Sequence, residues 1–263
     1  MWTEILRCLN HQAPAHHPQT KRLHYPPREQ GAEYYLKTYY RSHPVGAFKD
    51  LFRDSKAFRA LRQGKALSGL GFHVPLAVAA GEERNFGFLR RSFLLTSAVR
   101  GSALPLFLRE QCSLPLGLAA LRRKRKYLRE LALEIGRLHQ CGFVHGDLVP
   151  SNILVRAEQG ELTFFYMDHD RTRRYPAWFF HLLWRRNLVQ LNRLVLPGIS
   201  LQDRMRFLRF YLRKGPWGKS DRRLIRWLEE KTRKRRQECD RIAPQVSFRE
   251  LMRWNGPFAR DIQ

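Results

Sequence analysis

The sequence predicts an α+β fold of two lobes, a small antiparallel sheet lobe that carries one helix and a larger, mainly helical lobe. Three observations favour this class. Short strand-like runs separated by Pro and Gly fill the first part of the chain, helical spacing of apolar residues fills the rest, and 263 residues suit one large domain or two lobes. A hydrophobic content of 43%, with 6 Trp and 17 Phe, excludes wholesale disorder.

The hairpin that opens the first lobe is predicted from two runs rich in strand-forming residues. The runs KRLHY and EYYLKTYY place strands at Lys21–Tyr25 and Glu33–Tyr40. Pro26, Pro27 and Gly31 lie between these strands and form the predicted turn.

A helix and two more strands complete the predicted first lobe. Helical spacing runs from Asp54, a suitable N-cap residue, to Leu70. Strands are predicted at Val74–Ala80 and Phe86–Val99, with a turn at Gly81–Glu82 between them.

The second lobe begins where this pattern changes. Between Arg100 and Pro115 the regular apolar pattern stops and Gly, Ser and Pro become frequent. The lobes are therefore predicted at residues 1–98 and 99–263. Beyond this boundary, apolar residues recur at the spacing of amphipathic helices. Helices are predicted at Tyr127–Gln140, Trp178–Leu196, Leu201–Leu212 and about Ser220–Ile242.

The segment HGDLVPSNIL, from His145 to Leu154, is the most informative part of the chain. It places Asp147 and Asn152 between a helical run and a short apolar strand, and a second predicted strand ends in Asp168. An ordinary surface turn also uses Asp, Asn, Pro and Ser, but the flanking helix and strands favour a catalytic loop. Phosphoryl transfer requires a group that orients the attacking hydroxyl and oxygen ligands for Mg²⁺, and these residues supply both.

The charge of the chain indicates a polyanionic partner. Lys and Arg number 49 against 23 Asp and Glu, which gives a formal net charge of +26. Nucleic acid, a phosphorylated substrate and the anionic face of a membrane are the three classes that such a field attracts. For about half of the cationic residues, a solvated helix face is the ordinary explanation. The densest runs are Arg122–Lys126 and Lys231–Arg236, joined by Arg171–Arg174 and Arg185–Arg186.

The compartment is expected to be cytosolic. No apolar run approaches the roughly 18 to 20 residues of a spanning helix, and the first residues do not follow the signal-peptide pattern. The cysteines include no CxxC pair, so we expect free thiols, and neither a zinc site nor a disulfide framework. They are Cys8, Cys112, Cys141 and Cys239.

Together these motifs resemble the eukaryotic-like kinase superfamily. Lys37 lies on a predicted strand, HGDLVPSNIL has the catalytic-loop pattern, and YMDHDR places Asp168 after an aromatic strand. The later segment RRNLVQLNRLVLPGISLQDRMRFLRFYL is similar to the bacterial lipopolysaccharide core kinases, which phosphorylate heptose or 3-deoxy-manno-octulosonic acid (Kdo) sugars. The resemblance runs from about Leu23 to Leu212 and implies a two-lobe protein-kinase-like fold, with the first lobe binding ATP.

The resemblance implies a role for each motif residue. Lys37 would bind the phosphates of ATP, as a point cation on a rigid strand can. Asp147 would orient and deprotonate the sugar hydroxyl, Asn152 would hold a metal, and Asp168 would bridge Mg²⁺ to the phosphates. His145 is expected to fix the loop rather than to act as the base.

Two further features of the ATP site follow from the resemblance. Thr96, Ser97 and Ala98 would contact adenine through their backbone. Gln63 stands where the family has a Glu that pairs with the strand Lys, so Lys37 would be held less firmly.

Two other regions depart from the family pattern. They are the segment expected to cover the ATP phosphates and the acid Asp170, which follows Asp168 by two residues. The first strands contain no GxGxxG motif, so Gln12–Thr20 would cover the phosphates with other backbone donors. Asp170 would either reach the metal or pair with Arg171, Arg173 or Arg174, and the ion pair is favoured.

The resemblance and the charge indicate the same partner. Lipopolysaccharide cores carry phosphates and sugar-acid carboxylates among anionic lipids, so the protein is expected to be peripheral on the cytosolic face of the inner membrane, where each cation near the surface contributes on the order of 1 kcal/mol. The aromatic cluster Trp178–Trp184 is either a buried helix face, which we favour, or an interfacial anchor. Without a recognisable nucleic-acid module, no specific nucleic-acid partner is expected.

We therefore expect a kinase that uses ATP and Mg²⁺ and phosphorylates a sugar hydroxyl of the lipopolysaccharide inner core, either heptose or Kdo. Two alternatives stay open. In the first, the acceptor is a protein or a small molecule such as an aminoglycoside. In the second, the chain is a pseudokinase binding module, which Gln63 and the missing glycine loop favour, and which the intact Asp147, Asn152 and Asp168 argue against.

Overall fold

The computed structural model describes residues 2–11, 18–25, 32–40, 53–112, 117–176, 183–194, 196 and 198–240. Its contacts divide the chain into two compact units, one formed by residues 1–100 with 165–172 and the other by residues 101–164 with 173–263. Helices and strands both occur, and the strands pair in antiparallel sheets, so the predicted α+β class is confirmed.

The first unit is built on a four-stranded antiparallel sheet in the order β1-β2-β4-β3. The two strands predicted for the hairpin are confirmed, and the residues of its predicted turn lie outside the described residues. The elements of this unit are α1 (Trp2–His11), β1 (Gln19–Tyr25), β2 (Ala32–Tyr40), α2 (Lys56–Ser68), β3 (Ala77–Asn85) and β4 (Phe88–Ser97).

Each face of this sheet packs against one helix. Because alternate residues of a strand face opposite sides, Leu36 and Leu95 lie in one apolar cluster and Tyr39 and Leu94 lie in another. The first cluster contains residues of α1, which the sequence pattern did not predict, and the second contains residues of α2. The helix residues concerned are Ile5, Cys8 and Leu9 on α1 and Ala57 and Ala60 on α2.

The predicted turn between β3 and β4 was wrong. Gly81 lies inside β3, where the ring of Phe93 on β4 occupies the space that a Cβ atom would need, with Cε1 only 2.5 Å away. The turn lies instead at Phe86 and Gly87, whose φ angles of 48° and 82° suit the tight connection of a two-residue hairpin. A glycine in a strand interior therefore marked close packing rather than the end of the strand.

The predicted start of α2 was wrong by one residue. Ser55 is the N-cap, and its hydroxyl accepts a hydrogen bond from the backbone N–H of Phe58 at 3.3 Å. Asp54, the predicted cap, forms an ion pair with Arg62 at 2.7 Å instead. Asp and Ser are both good caps, so the two candidates could not be separated from the sequence.

The second unit is mainly helical. The second unit also contains two small sheets, β5-β7-β8 and β6-β9, and the last two residues of β8 belong to the first unit. The elements are β5 (Ser102–Ala103), α3 (Leu104–Cys112), α4 (Leu118–Gln140), β6 (Phe143–Val144), β7 (Ile153–Glu158), β8 (Glu161–Tyr166), β9 (Arg173–Arg174), α5 (Trp184–Arg193), α6 (Leu201–Leu212) and α7 (Lys219–Asp240).

The helices of this unit agree with the predicted pattern in part. The bounds of α6 are confirmed, α4 begins earlier than predicted, and α3 occupies the region that was predicted as a loose boundary. Of the predicted helix 178–196, residues 184–193 form α5, and residues 178–182, with most of the aromatic cluster, lie outside the described residues. The apolar face of α4 is buried as predicted, through Leu128, Leu131, Ala132, Ile135 and Leu138.

The basic run at the start of α4 is not uniformly exposed. Arg122, Arg123 and Arg125 are exposed, but Lys124 is only 4% exposed and lies 2.5 Å from the carboxylate of Asp203 on α6. This buried ion pair joins the two helices. No helix in the described ranges is both long enough and apolar enough to cross a membrane, and all four cysteines are free thiols.

Candidate active site

In the first unit, the structure brings Lys37 and Asp168 together. Lys37 lies on β2, and Asp168 follows the end of β8, so the two residues are 131 positions apart in the chain. The Lys37 Nζ lies 2.5 Å from Asp168 Oδ1, and both side chains are less than a third exposed. Lys37 also lies over the ring of Tyr39, 5.2 Å from its centroid. The tertiary fold therefore holds a cation and a carboxylate in contact at a half-buried position.

The backbone of Asp168 adopts an unusual conformation. Its φ and ψ of 62° and 68° lie in the left-handed region, and it caps the short 3₁₀ helix His169–Arg171. An L-residue other than glycine adopts this region at a cost of roughly 1–2 kcal/mol, which Asp tolerates better than most. Strain of this kind clusters at functional sites. The sequence pattern placed Asp168 at the end of a strand, but β8 ends at Tyr166.

Asp170 lies in that 3₁₀ helix and not on a strand. No arginine makes a direct ion pair with Asp170 among the described residues, although the charge of Arg171 still favours the ionised form of this acid. Burial and the neighbouring Asp168 carboxylate raise the pKa of Asp170, against the opposing charge of Lys37. The acid therefore belongs to the electrostatic surroundings of Asp168.

Gln63 on α2 makes no hydrogen bond to Lys37 in the described residues. Its Oε1 atom is buried and has no hydrogen-bond partner among them, while Lys37 pairs with Asp168. Lys37 is thus held by a carboxylate from the end of β8 rather than by a residue of α2.

The predicted adenine-binding segment is the end of β4 and the residue after it. The backbone N–H groups of Ser97 and Ala98 donate to the carbonyls of Leu76 and Glu33, each at 2.9 Å. Thr96 lies within the sheet, opposite Tyr35. The N–H groups of Ser97 and Ala98 are therefore already used within the first unit.

In the second unit, the structure brings Asp147 and Asn152 together in the loop between β6 and β7. The side-chain nitrogen of Asn152 donates to the backbone carbonyl of Asp147 at 2.9 Å. This bond closes the loop and fixes the backbone beside the Asp147 carboxylate. Gly146 supports the bend with a φ of 77°, a value that favours glycine.

Two side chains of α5 hold the same loop from its other side. The Oδ1 of Asn187 accepts from the backbone N–H of His145 at 3.0 Å. Gln190 accepts from the N–H of Leu148 at 3.1 Å and donates to the carbonyl of Gly146 at 2.8 Å. The sequence reasoning missed both residues. The sequence feature that could have indicated them is a pair of polar residues, three positions apart, on a helix face that also carries buried leucines.

The buried histidines of this unit lie in the same network. His139 on α4 contacts Tyr211 Oη at 2.8 Å through Nδ1 and Asn187 Oδ1 at 3.1 Å through Nε2. Burial lowers the pKa of His139 to about 4, and the bond to Asn187 offsets this only in part. The ring of His145 is fully buried.

Comparisons with known proteins identify the class of this chain. A model of the lipopolysaccharide kinase (Kdo/WaaP) family matches residues 10–211. A structure described as WaaP in complex with acyl carrier protein is 21% identical, has a TM-score of 0.62, and is matched over 88% of this chain and 92% of its own. A search of curated protein sequences finds no match.

Two more distant structures are also similar. One is monomeric WbdD, with 20% identity, a TM-score of 0.44 and coverage of 76% of this chain and 43% of its own. The other is a mutant of the PknI kinase domain from Mycobacterium tuberculosis, with 14% identity, a TM-score of 0.37 and coverage of 91% and 90%. Neither is needed for the assignment, because the family model and the WaaP fold carry it.

The fold is that of the WaaP structure, and the family match defines a phosphotransferase. The chain belongs to the lipopolysaccharide kinase (Kdo/WaaP) family, since the family model covers well over half of it. It is therefore a kinase that acts on a sugar hydroxyl of the lipopolysaccharide core, and membership implies the use of ATP. The predicted family, fold and enzyme class are confirmed, and the roles of individual residues stay predictions.

Proposed function

We propose that this kinase transfers the γ-phosphoryl group of ATP to a hydroxyl of heptose or Kdo in the lipopolysaccharide inner core, with Lys37, Asp147, Asn152 and Asp168 as the reacting machinery. The observation that carries this assignment is the contact of 2.5 Å between Lys37 and Asp168. Lys37 and Asp168 lie 131 positions apart in the chain, and their contact at a half-buried position is expected if one site uses both residues.

Lys37 and Asp168 are assigned to the nucleotide. The Lys37 ammonium binds the phosphates as a point charge on a rigid strand. Asp168 is assigned as a ligand of Mg²⁺, an ion that takes carboxylate oxygens. Its strained backbone supports this role, because strain of this kind clusters at functional sites and the carboxylate contacts Lys37.

Asn152 is the second proposed ligand of Mg²⁺, and its contacts fit that assignment. The amide nitrogen is held by the Asp147 carbonyl, so the oxygen is the end of the side chain that remains for a hard cation. When bound, Mg²⁺ would neutralise charge on the phosphate oxygens during transfer.

Asp147 is assigned to the acceptor. Its backbone is bound on both sides while its carboxylate has no hydrogen-bond partner among the described residues. A carboxylate on a fixed backbone can accept the proton of the attacking hydroxyl. Transfer then forms the bond from the sugar oxygen to phosphorus, breaks the bond to ADP, and leaves the proton on Asp147.

The test of this function is a transfer assay with a choice of acceptors. Purified protein is incubated with labelled ATP, Mg²⁺ and either core glycolipid, a generic protein or an aminoglycoside. Label on the glycolipid, located on heptose or Kdo by mass spectrometry, is the expected result. Label on protein or aminoglycoside alone would establish the alternative acceptor, and ATP binding without transfer to any acceptor would establish a pseudokinase.

A position at the cytosolic face of the inner membrane is supported by the exposed cations of α4 and α7. Arg122, Arg123 and Arg125 on α4 are exposed, as are Arg222, Arg223 and Arg226 on α7. No carboxylate of the described residues pairs with these six side chains. Unneutralised cations attract anionic lipid headgroups, so we propose peripheral attachment at the site where the core glycolipid is made.

An acyl carrier protein is a further proposed partner, because WaaP was solved in complex with one. The second unit of this chain contains a cavity of about 360 Å³, within the range of ligand sites. Arg204, which lines the cavity, donates to Asn192 Oδ1 at 2.6 Å and to the Leu194 carbonyl at 2.8 Å and has no ion pair among the described residues. Asp203 and Glu229 also line it. The apolar wall includes Leu104, Leu108, Leu128, Leu131, Leu188 and Leu208.

A cavity with a largely apolar wall suits an acyl chain. We expect acyl-loaded carrier protein to raise the Tm of this kinase and carrier without an acyl group to leave it unchanged. An equal effect of both forms would show that the cavity does not hold the acyl chain.

A further inference from the structure

The backbone on both sides of Asp147 is bound to a single side chain of α5. Gln190 Nε2 donates to the carbonyl of Gly146 at 2.8 Å, and Gln190 Oε1 accepts from the N–H of Leu148 at 3.1 Å. These two backbone groups immediately precede and follow Asp147. One amide therefore fixes both peptide neighbours of the residue assigned to the acceptor hydroxyl.

The orientation of this amide is determined by its partners. The Leu148 N–H can only donate and the Gly146 carbonyl can only accept, so the oxygen of Gln190 must face the first and its nitrogen the second. Asn187 reinforces this orientation, because its Nδ2 donates to Gln190 Oε1 at 2.9 Å. A flipped Gln190 would lose all three bonds.

Asn187 extends the same network one residue further. Its Oδ1 accepts from the His145 N–H and from the ring of His139. Since an amide oxygen only accepts, His139 Nε2 carries the hydrogen and Nδ1 accepts from Tyr211. The lowered pKa of His139 keeps the ring in this neutral form. Every amide group of Asn187 and Gln190 thus has a partner of the correct kind.

We propose that Gln190, oriented by Asn187, is a positioning residue for phosphoryl transfer, and that it acts by fixing the peptide groups on both sides of Asp147. The proposal rests on the function assigned to Asp147 above. A reacting carboxylate must lie within a few tenths of an ångström of its productive position, and a displacement of about 1 Å can reduce the rate about a hundredfold. A loop between two short strands needs such support from a neighbouring helix.

The test uses Gln190→Met, which keeps the approximate size of the side chain and removes its hydrogen bonds. We expect kcat to fall about ten- to a hundredfold, while KM for ATP changes less than about twofold, because the ATP phosphates are assigned to Lys37. Amide hydrogen exchange of a peptide spanning residues 143–154 should become faster, since the Leu148 N–H loses its acceptor. Asn187→Ala should show the same pattern.

The matched control is Thr232→Val, which also removes a buried hydrogen bond to α5. Thr232 is fully buried on α7 and accepts from Asn192 at 3.1 Å, without contact to the loop. This variant should lose stability but keep kcat and the exchange rate of the loop.

Two results would overturn the proposal: a kcat for Gln190→Met equal to that of Thr232→Val, or unchanged exchange of the loop peptide. Gln190 is only half-buried, so its substitution tests the proposal even if Asn187→Ala does not fold. The exchange measurement needs no turnover. If wild-type protein transferred no phosphate to core glycolipid, the proposed function would fail while the anchoring of the loop would still be tested.

Discussion

Asp147 shows how one residue combines a fixed backbone with an available carboxylate. Its carbonyl accepts from Asn152, and its peptide neighbours are bound by Gln190. The carboxylate itself carries none of these bonds. The side chain of Asp147 is therefore available for the reaction, while its main chain holds the loop. Substitutions of the side chain should leave the loop in place.

Asp147→Asn should abolish most turnover and retain nucleotide binding. The amide cannot accept the proton of the sugar hydroxyl, so kcat should fall about a hundred- to ten-thousandfold, whereas the Kd for ATP, measured by calorimetry, should stay within about twofold. Asp54→Asn, at an exposed ion pair with Arg62, is the matched control and should keep full kcat. An equal kcat for the two variants would remove Asp147 from the mechanism.

Asp168→Asn should separate the nucleotide role from the acceptor role. The substitution removes a charged ligand of Mg²⁺, so ATP binding should weaken at least about tenfold in the presence of Mg²⁺ and lose its dependence on the metal. Titration of ATP with and without Mg²⁺ measures this difference. If the metal dependence of the variant matched that of wild type, Asp168 would have been misassigned.

His139 should make the stability of the protein depend on pH. Burial lowers its pKa to about 4, so the folded state stays neutral where the unfolded state, with a pKa near 6.5, takes up a proton. The contribution is fully present above about pH 6.5 and is lost as the pH falls toward 4, at about 1.4 kcal/mol per pH unit. Urea unfolding of wild type and His139→Gln across this range should show a steeper loss of stability toward acid pH in wild type, because carboxylates with a lowered pKa, such as Asp203, titrate in both proteins. Parallel curves would contradict the burial of a neutral ring.

At the scale of elements, α4 and α6 are joined by a charged contact inside the second unit. Lys124 and Asp203 are 5% and 2% exposed at the side chain. Asp203 also completes the capping box of α6 with Ser200. Burial opposes ionisation of Asp203, but the bonds from Lys124 and Ser200 outweigh it and lower the pKa. One carboxylate therefore begins a helix and binds its neighbour.

Lys124→Met should destabilise the protein by about 3 kcal/mol, because the buried Asp203 carboxylate loses its buried cation and keeps only the half-buried Arg206 and the bonds from Ser200. The neighbouring Arg123→Met, at an exposed position of the same helix, should change stability by less than about 0.5 kcal/mol. Chemical denaturation of both variants measures the difference. Similar losses in the two variants would show that the ion pair does not matter for stability.

At the scale of the whole molecule, a net charge of +26 dominates long-range behaviour. Attachment to anionic vesicles through exposed arginines should weaken as NaCl rises from about 0.1 M to about 1 M, because the Debye length shortens from about 10 Å to about 3 Å. Sedimentation with vesicles of phosphatidylglycerol and phosphatidylethanolamine measures this, and vesicles of phosphatidylcholine alone are the control. Attachment that resists salt would instead indicate insertion of the aromatic cluster at 178–184.

Much of the fold and of the candidate site could be predicted because the signals are local. The HGDLVPSNIL motif, the strand that carries Lys37 and the amphipathic face of α4 each lie within one stretch of chain, where periodicity and turn chemistry act directly. The failures were also local in origin. Gly81 suggested a turn because glycine is common in turns, yet it serves the packing of Phe93 across the sheet.

By itself, the sequence determined the class of the protein, its family and the residue types of its chemistry. Only the tertiary structure decided which partners those residues have: Asp168 rather than Gln63 for Lys37, and Gln190 for the backbone around Asp147. The physical reason is that hydrogen bonds and ion pairs depend on distances between atoms from separate elements. These distances are set only when the helices and strands pack together, so a local pattern of residues cannot predict them.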